Sequence, residues 1–329
     1  MDEIVMAAFY IVTPVRNGAQ FINTAITHII SQAGNFEIYY HIQDGGSADS
    51  TLEIIQKWEE LLTADCPLIQ CNRVHFSWAS EPDTGMYDAI NKGFTKFNIP
   101  DDGIMGWCNA DDMYMPMAFD CLTKAFFQLP TMCFLAGKWL RYEDHAYRES
   151  PYHGGIYPRD VMSHGCCDTH MWTSVAQPSA FWKKSLWDCT GPLNSELKLA
   201  GDYDLWRRFA EKTECVYLPS ILSLCLCHNA QLGNAKPPSG ELSYYQLEQE
   251  RICPLAMRQA FIKRLWDRRL LPPSGPLAAL HVDGYCILQR RGWPKAWGPT
   301  WKYYFLRRFL YQKLRIKSFF KKFFKKTIK

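Results

Sequence analysis

Over the first 130 residues, short apolar runs end repeatedly in polar or glycine-bearing turns, with helical patterns between them. Ala8-Phe9-Tyr10-Ile11-Val12 is a β-rich run closed by Thr13-Pro14 and reads as a buried strand. Phe21, Ile22, Ala25, Ile26, Ile29 and Ile30 then recur at helical spacing. Phe36 to Ile42 reads as a second strand, stopped by Asp44-Gly45-Gly46. Ser50-x-x-Glu53 has the pattern of a capping box ahead of Leu52, Ile55, Trp58 and Leu62 on a helix. Val74 to Ala79 predicts a third strand, Asp88 to Phe97 a helix, and Gly103 to Cys108 a fourth strand ending in Asn109-Ala110-Asp111-Asp112. This order predicts an α/β domain with a mainly parallel central sheet. Ligands of such sheets bind beyond the carboxyl ends of the strands, so Thr13-Pro14, Asp44-Gly45-Gly46 and Asp111-Asp112 are expected to line one crevice.

Further along, residues 131–175 read as irregular. Gln177 to Trp187 and Leu199 to Ala210 resume regular patterning, and Val216 to Cys227 is another apolar run. Pro237-Pro238-Ser239-Gly240 marks a boundary, roughly 241–270 is helical, and Leu271-Pro272-Pro273-Ser274-Gly275-Pro276 is a second linker. The expected division is a catalytic domain over 1–236, a helical accessory region over 237–300 and a tail over 301–329.

That tail sets the charge balance. Residues 301–329 hold 11 of the 37 Lys and Arg and no acid, so the rest of the chain, with 33 acids, is net negative. An acidic body argues against nucleic acid as a partner. On a helical wheel Ile316, Phe319, Phe320, Phe323 and Phe324 share one face of the tail, and Lys317, Lys321, Lys322, Lys325 and Lys326 the other. This is the pattern of a basic amphipathic helix on an anionic membrane surface; a solvated basic tail and a helix packed on a partner are the alternatives. No run reaches the ~18 apolar residues that would read as a membrane span. The 13 Cys form no regular framework and Met1-Asp2-Glu3 opens no secretory segment, which together read as reduced thiols in the cytoplasm. Aromatic residues reach 15%, with 12 Trp, a supply for sugar stacking or for a bulky core.

Three segments carry chemistry. Asp111 and Asp112 repel each other at a strand end, a tension relieved either by a hard divalent cation or by a helix N-terminus. Ser80-Glu81-Pro82-Asp83-Thr84-Gly85 leads into a helix bearing Lys92, which suits either a nucleotide phosphate or an ordinary capped surface helix. Gly201-Asp202-Tyr203-Asp204-Leu205-Trp206 places Asp202 and Trp206 on one helix face, giving a candidate general base or a plain acidic helix start. His164-Gly165-Cys166-Cys167-Asp168-Thr169-His170 and Cys225-x-Cys227-His228 lack a regular zinc spacing. The first reads as a loop near an acceptor site, and the cysteines of the second as core fillers. Walker, dinucleotide-binding, zincin and serine-hydrolase signatures are absent.

Taken together, these segments resemble the family 2 glycosyltransferases of GT-A fold over roughly residues 8–232. The matching stretches are Thr13-Pro14-Val15-Arg16-Asn17, Asp44-Gly45-Gly46-Ser47-x-Asp49-Ser50-Thr51, Glu81-Pro82-Asp83-x-Gly85-x-Tyr87-Asp88-Ala89-x-Asn91-Lys92-Gly93, Trp107-x-Asn109-Ala110-Asp111-Asp112 and Gly201-Asp202-Tyr203-Asp204-Leu205-Trp206-x-Arg208. The resemblance implies a GT-A type, Rossmann-like α/β domain. It further implies donor binding by Thr13, Pro14, Asp44, Asp83, Lys92, Asn109 and Asp111. Asn109-Ala110-Asp111 stands for the family's D-x-D, with Asn in place of the first Asp. Mn²⁺ or Mg²⁺ would be held by Asp111, Asp112 and His228, and Asp202 would be the catalytic base. Gly201 departs from the Glu that many of the family carry there. The implied activity is inverting, metal-dependent hexosyl or N-acetylhexosaminyl transfer from a nucleotide-diphosphate sugar to a lipid-linked or glycan acceptor. The expected setting is the inner face of a bacterial membrane, in cell-surface polysaccharide or lipopolysaccharide assembly. The alternative is a catalytically silent sugar-nucleotide-binding scaffold of the same fold.

Overall fold

The computed structural model describes residues 6–64, 66–143, 146–149, 157–168, 174–228, 231, 242–267, 278–282 and 285–289. In chain order the elements are β1 (Ala7–Val15), α1 (Ile22–Ile30), β2 (Phe36–Asp44), α2 (Thr51–Thr63), β3 (Arg73–Ser80), α3 (Met86–Thr95), β4 (Ile104–Trp107), β5 (Asp112–Tyr114) and α4 (Ala118–Gln128). Then follow β6 (Phe134–Glu143), β7 (Ala146–Glu149), α5 (Arg159–Ser163), β8 (Ala180–Lys183), α6 (Lys184–Thr190), α7 (Gly201–Lys212), β9 (Val216–Leu226), α8 (Tyr244–Ile252), α9 (Leu255–Asp267), β10 (Ala278–Val282) and β11 (Tyr285–Gln289).

Because successive side chains of a strand point to opposite faces, a strand apolar at every position must be covered on both sides. β1 is such a strand. Phe9 and Ile11 enter a core with Ile22, Ile26 and Ile29 of α1, Ile55 of α2 and Phe119 of α4. Tyr10 and Val12 enter the opposite core with Ile90 and Phe94 of α3 and Leu205, Trp206 and Phe209 of α7. The result is a sheet between two helical layers.

The sheet runs β10-β11-β9-β6-β8-β4-β1-β2-β3. Its β3-β2-β1-β4 portion is parallel throughout. β8 is antiparallel to both β4 and β6, and β6 is parallel to β9. From β1 the chain moves to β2 on one side and later to β4 on the other, so the strand order reverses between β1 and β4. The crevice outside the carboxyl ends of a reversing pair is the usual ligand position of an open α/β sheet.

Several elements differ from the sequence expectation. β1 continues through Pro14 to Val15. Val12 accepts from the N–H of Cys108 on the β4 side, so Pro14, two residues on, directs its missing donor to that same side. β4 has already ended there at Trp107, and no ladder bond is lost. Ser50 makes no side-chain cap. The adjacent Asp49 caps α2 instead, its Oδ1 accepting from the N–H of Thr51 at 3.0 Å. The stretch expected to be irregular contains β6, a long strand wedged between β8 and β9. The expected single helix over 241–270 is two helices parted at Cys253-Pro254. Residues 278–289 add an antiparallel hairpin beside β9, so 237–300 is not helical throughout. The 237–240 and 271–276 linkers and the 301–329 tail lie outside the described residues.

Much of the tryptophan is core. Trp107 at the end of β4 stacks on Trp206 of α7 with centroids 5.7 Å apart. Trp182 of β8 meets Trp107 edge-on at 5.5 Å and stacks on Trp187 at 5.9 Å. This aromatic block fixes α7 against β4. Trp182→Ala should therefore lower unfolding stability by about 3–5 kcal/mol in a denaturant titration, whereas Phe127→Ala, at an 82% exposed position, should stay within about 0.5 kcal/mol.

Candidate active site

At the carboxyl end of β2 the buried carboxylate of Asp44 accepts from the N–H groups of Gly46 and Ser47, both at 2.9 Å. It also accepts from the hydroxyls of Ser80, at 2.6 Å, and Ser47. Asp44 thereby joins the end of β2 to the end of β3. Gly46 turns the chain at φ +81°, where a side chain is disfavoured. A Cβ on Gly45 would lie 2.2 Å from Oδ2 of Asp83, so only glycine allows Asp83 to lie over this backbone. The loop after β1 is laced to the same turn. Asn17 Oδ1 accepts from the N–H of Ala48 at 2.8 Å, and the N–H of Gly18 donates to Thr51 Oγ1 at 2.9 Å. Thr13 is buried and its hydroxyl accepts from Tyr40 at 3.0 Å, with Pro14 beside it.

The loop after β3 is also self-bonded. Asp83 Oδ1 accepts from the N–H of Gly85 at 2.9 Å. Asp88 accepts from the N–H of Thr84, which holds its carboxyl below the usual carboxylate range, with Lys92 adding to the effect. Lys92 donates to the carbonyl of Pro82 at 2.8 Å and pairs with Asp88 at 3.2 Å. Its ammonium therefore braces the loop from below.

Beyond β4, Asn109 donates to Asp112 Oδ2 at 3.0 Å and to Gln177 Oε1 at 3.1 Å. Gln177 returns a bond to the carbonyl of Trp107 at 2.7 Å. Asp112 is buried on β5 opposite Cys225 of β9. Burial pushes its carboxyl up, and the neighbouring Asp111 adds to that. Asp111 points elsewhere: its Oδ2 lies 3.0 Å from Nε2 of His228, both side chains about a quarter exposed. The His228 ring stacks on Phe21, just ahead of α1, at 4.8 Å. The structure thus brings Asp111 and His228 together across the β1/β4 reversal and sets Asp112 behind them. Among the described residues no three His, Cys, Asp or Glu side chains converge to hold a metal ion unaided. One carboxylate and one imidazole still suit a Mn²⁺ or Mg²⁺ ion that completes its coordination with substrate phosphates and water. Cys227 is more than a core filler: Nε of Arg141 lies 3.2 Å from its sulfur, and the Cys225 thiol and this guanidinium pull its pKa down.

Asp202 stands in the first turn of α7, one turn before Trp206. Its Oδ1 accepts from the N–H of Tyr203 at 2.8 Å and from the hydroxyl of Tyr245 at 3.3 Å. Burial pushes its carboxyl up to about 6, against the pull of those two bonds. The helix start is fixed from α3: Tyr87 donates to the carbonyl of Leu199 at 2.6 Å, and a Cβ on Gly201 would stand 2.6–2.8 Å from its ring. A small pocket between α5, α7 and α8 is lined by Met162, Cys167, Val175, Tyr203, Trp206 and Tyr245 among others, and two of these, Tyr203 and Tyr245, bond Asp202. Gln177, Tyr245 and Glu248 carry no sequence expectation of a site role, and Tyr87 enters only as part of the Glu81–Gly93 stretch. The signal for α8 was present as Ser243-x-x-Gln246, a capping box that does form.

Residues 10–165 match the family profile described as Glycosyl transferase family 2. No curated protein matches the chain. Residues 1–349 of TarS from S. aureus, in complex with UDP-GlcNAc, superpose with a TM-score of 0.53 at 13% identity, over 79% of this chain and 73% of that one. A longer TarS structure gives 0.51 at 14% identity, over 79% of this chain. The chain spans only 43% of that longer TarS. At these identities the likeness is one of fold. Residues 10–165 therefore make up a family 2 glycosyltransferase domain, built on a GT-A type, Rossmann-like sheet.

Proposed function

We propose that the protein transfers a hexosyl or N-acetylhexosaminyl group from a nucleotide-diphosphate sugar to an acceptor hydroxyl, with inversion at the anomeric carbon. The observation that carries this reading is Asp202: a carboxylate held by Tyr203 and Tyr245, its pKa moved toward neutrality, on a helix locked to the strand that leads into Asp111. A general base works best when its pKa lies near the operating pH. Ionised Asp202 takes the proton of an acceptor hydroxyl as that oxygen attacks the anomeric carbon from the face opposite the diphosphate. Tyr203 and Tyr245 keep the carboxylate oriented for that transfer.

The donor would lie along the crevice between the β1 and β4 ends. Thr13, Pro14 and the Asp44–Gly46 turn form its nucleoside end, with Asp83 on the floor. Asn109 and Asp111 face the diphosphate. Asp111 and His228 would hold Mn²⁺ or Mg²⁺, with Asp112 supporting the turn from behind. When bound, that ion offsets the negative charge developing on the departing diphosphate. UDP-GlcNAc, which one TarS structure holds, is the first donor to test. The basic, aromatic 301–329 tail suits an acceptor at an anionic membrane surface, as in bacterial cell-surface polysaccharide or lipopolysaccharide assembly. No described helix is long and apolar enough to cross a membrane.

Asp202→Asn should reduce turnover by about 10²–10⁴-fold while leaving the UDP-GlcNAc-induced rise in melting temperature intact. Full turnover in that variant would defeat the assignment. The raised carboxyl makes a second demand. A pKa held above its unfolded value stabilises the fold below the unfolded value and loses that contribution as pH rises through about 6. Asp202→Asn should therefore melt higher than the parent at pH 7.5, and kcat/KM of the parent should climb through about pH 6 to a plateau. For the metal, Asp111→Asn should abolish the extra stabilisation that Mn²⁺ adds to UDP-GlcNAc in a thermal-shift titration; an unchanged Mn²⁺ increment would exclude Asp111 as a ligand.

A further inference from the structure

We infer that α8, which lies outside the stretch matching the family profile, is part of the catalytic apparatus: Tyr245 is a positioning residue that orients the Asp202 carboxylate, and Glu248 fixes the start of the helix that carries it. The inference rests on the reading of Asp202 as the base. Its geometry is direct. The Tyr245 hydroxyl donates to Asp202 Oδ1 at 3.3 Å. One turn on, Glu248 accepts from three consecutive N–H groups, those of Lys198, Leu199 and Ala200, each at 2.8 Å. Those N–H groups belong to the three residues just ahead of α7, the last of them its N-cap, so the carboxylate lies near the positive end of the helix.

α8 is poorly anchored as an ordinary packing helix. Gln249 is its one fully buried residue, and Tyr244 and Leu247 are exposed. It is held instead by polar contacts that lead to the base. Buried Arg258 of α9 bonds both Glu250 of α8 and buried Asp168, just beyond α5. The Leu255 N–H donates to the other oxygen of Glu250 at 2.8 Å. An attachment of this kind fixes orientation more than it fills space. Tyr245 also lines the small pocket between α5, α7 and α8. Burial, and then the charge of Asp202, hold its hydroxyl well above the usual tyrosine range, so it remains a neutral donor.

The groups facing Asp202 are Tyr87 from α3, Tyr203 from its own helix, and Tyr245 and Glu248 from α8. The two α8 groups act in opposite directions. The Tyr245 bond favours the ionised carboxylate, and the Glu248 charge disfavours it. This opposition supplies a test that a purely structural role would not pass. Protein labelled with [γ-¹³C]aspartate is titrated by NMR, and the Asp202 resonance is identified by its loss in Asp202→Asn. Tyr245→Phe should move its midpoint up by about 0.5–1 unit, the effect of removing one hydrogen bond to a charged group. Glu248→Gln should move it down. Movement of both variants in one direction would mean that α8 had merely loosened, and an unmoved midpoint in folded Tyr245→Phe would mean no coupling; either result overturns the inference. Donor turnover reports separately. If Asp202→Asn stays active on UDP-GlcNAc while the midpoints move in opposite directions, the base assignment fails and the coupling stands. If Asp202→Asn is inactive and the midpoints stay put, the base stands and the role of α8 falls.

Discussion

Everything in this fold follows from the double burial of β1. A strand covered on both faces can present nothing to solvent along its length. Chemistry is confined to its end and to the ends of the strands beside it. The reversal of strand order between β1 and β4 then opens a crevice that no ladder bond closes. Pro14 sits at that opening, where a residue without an N–H costs nothing. The position of the site is thus a consequence of topology, and the residue types at the strand ends decide what it can bind.

The loops at those ends are organised by their own polar groups. Asp44 satisfies four donors, Asp83 and Asp88 each close a backbone turn, and Lys92 braces the turn from beneath. Buried carboxylates without such partners would be costly. With them, the loops are rigid before any ligand arrives, which spares the binding step the entropy of ordering them. Residues that read in the sequence as ligand contacts therefore divide in two. Asp44 and Lys92 brace the loops, whereas Asp111 and His228 pair with each other, part-exposed, and Asp202 is held by two tyrosines.

That division marks how far the sequence was legible. The alternation of apolar runs with helical patterns disclosed the parallel half of the sheet because each strand there is local and self-contained. β6 was hidden because Lys138 and Arg141 interrupt its apolar run, and its strand character comes from β8 and β9 on either side. The pairing of Asp111 with His228, 117 residues apart, could be named only through a family resemblance, since no spacing connects β4 to the end of β9. Tyr245 and Glu248 carry no such resemblance. Their roles arise from a helix docked through Arg258, an arrangement that leaves no periodic trace.

Gly201 shows how local sterics and distant charge meet at Asp202. Many of the resembling family carry Glu at this position, yet here the ring of Tyr87 occupies the space into which any side chain would have to grow. Tyr87 cannot withdraw without losing its bond to Leu199. The first residue of α7 therefore brings no carboxylate of its own, and those of its first turn are Asp202 and Asp204. Glu248 adds another from a separate helix and accepts from the N–H groups of the three residues just ahead of α7. The same charge raises the Asp202 carboxyl, so the group that steadies the helix also helps keep that carboxyl near neutrality. Tyr245, one turn away, limits that rise. The poise of Asp202 is in this way a balance of burial, reinforced by the Glu248 charge, against the bonds from Tyr203 and Tyr245.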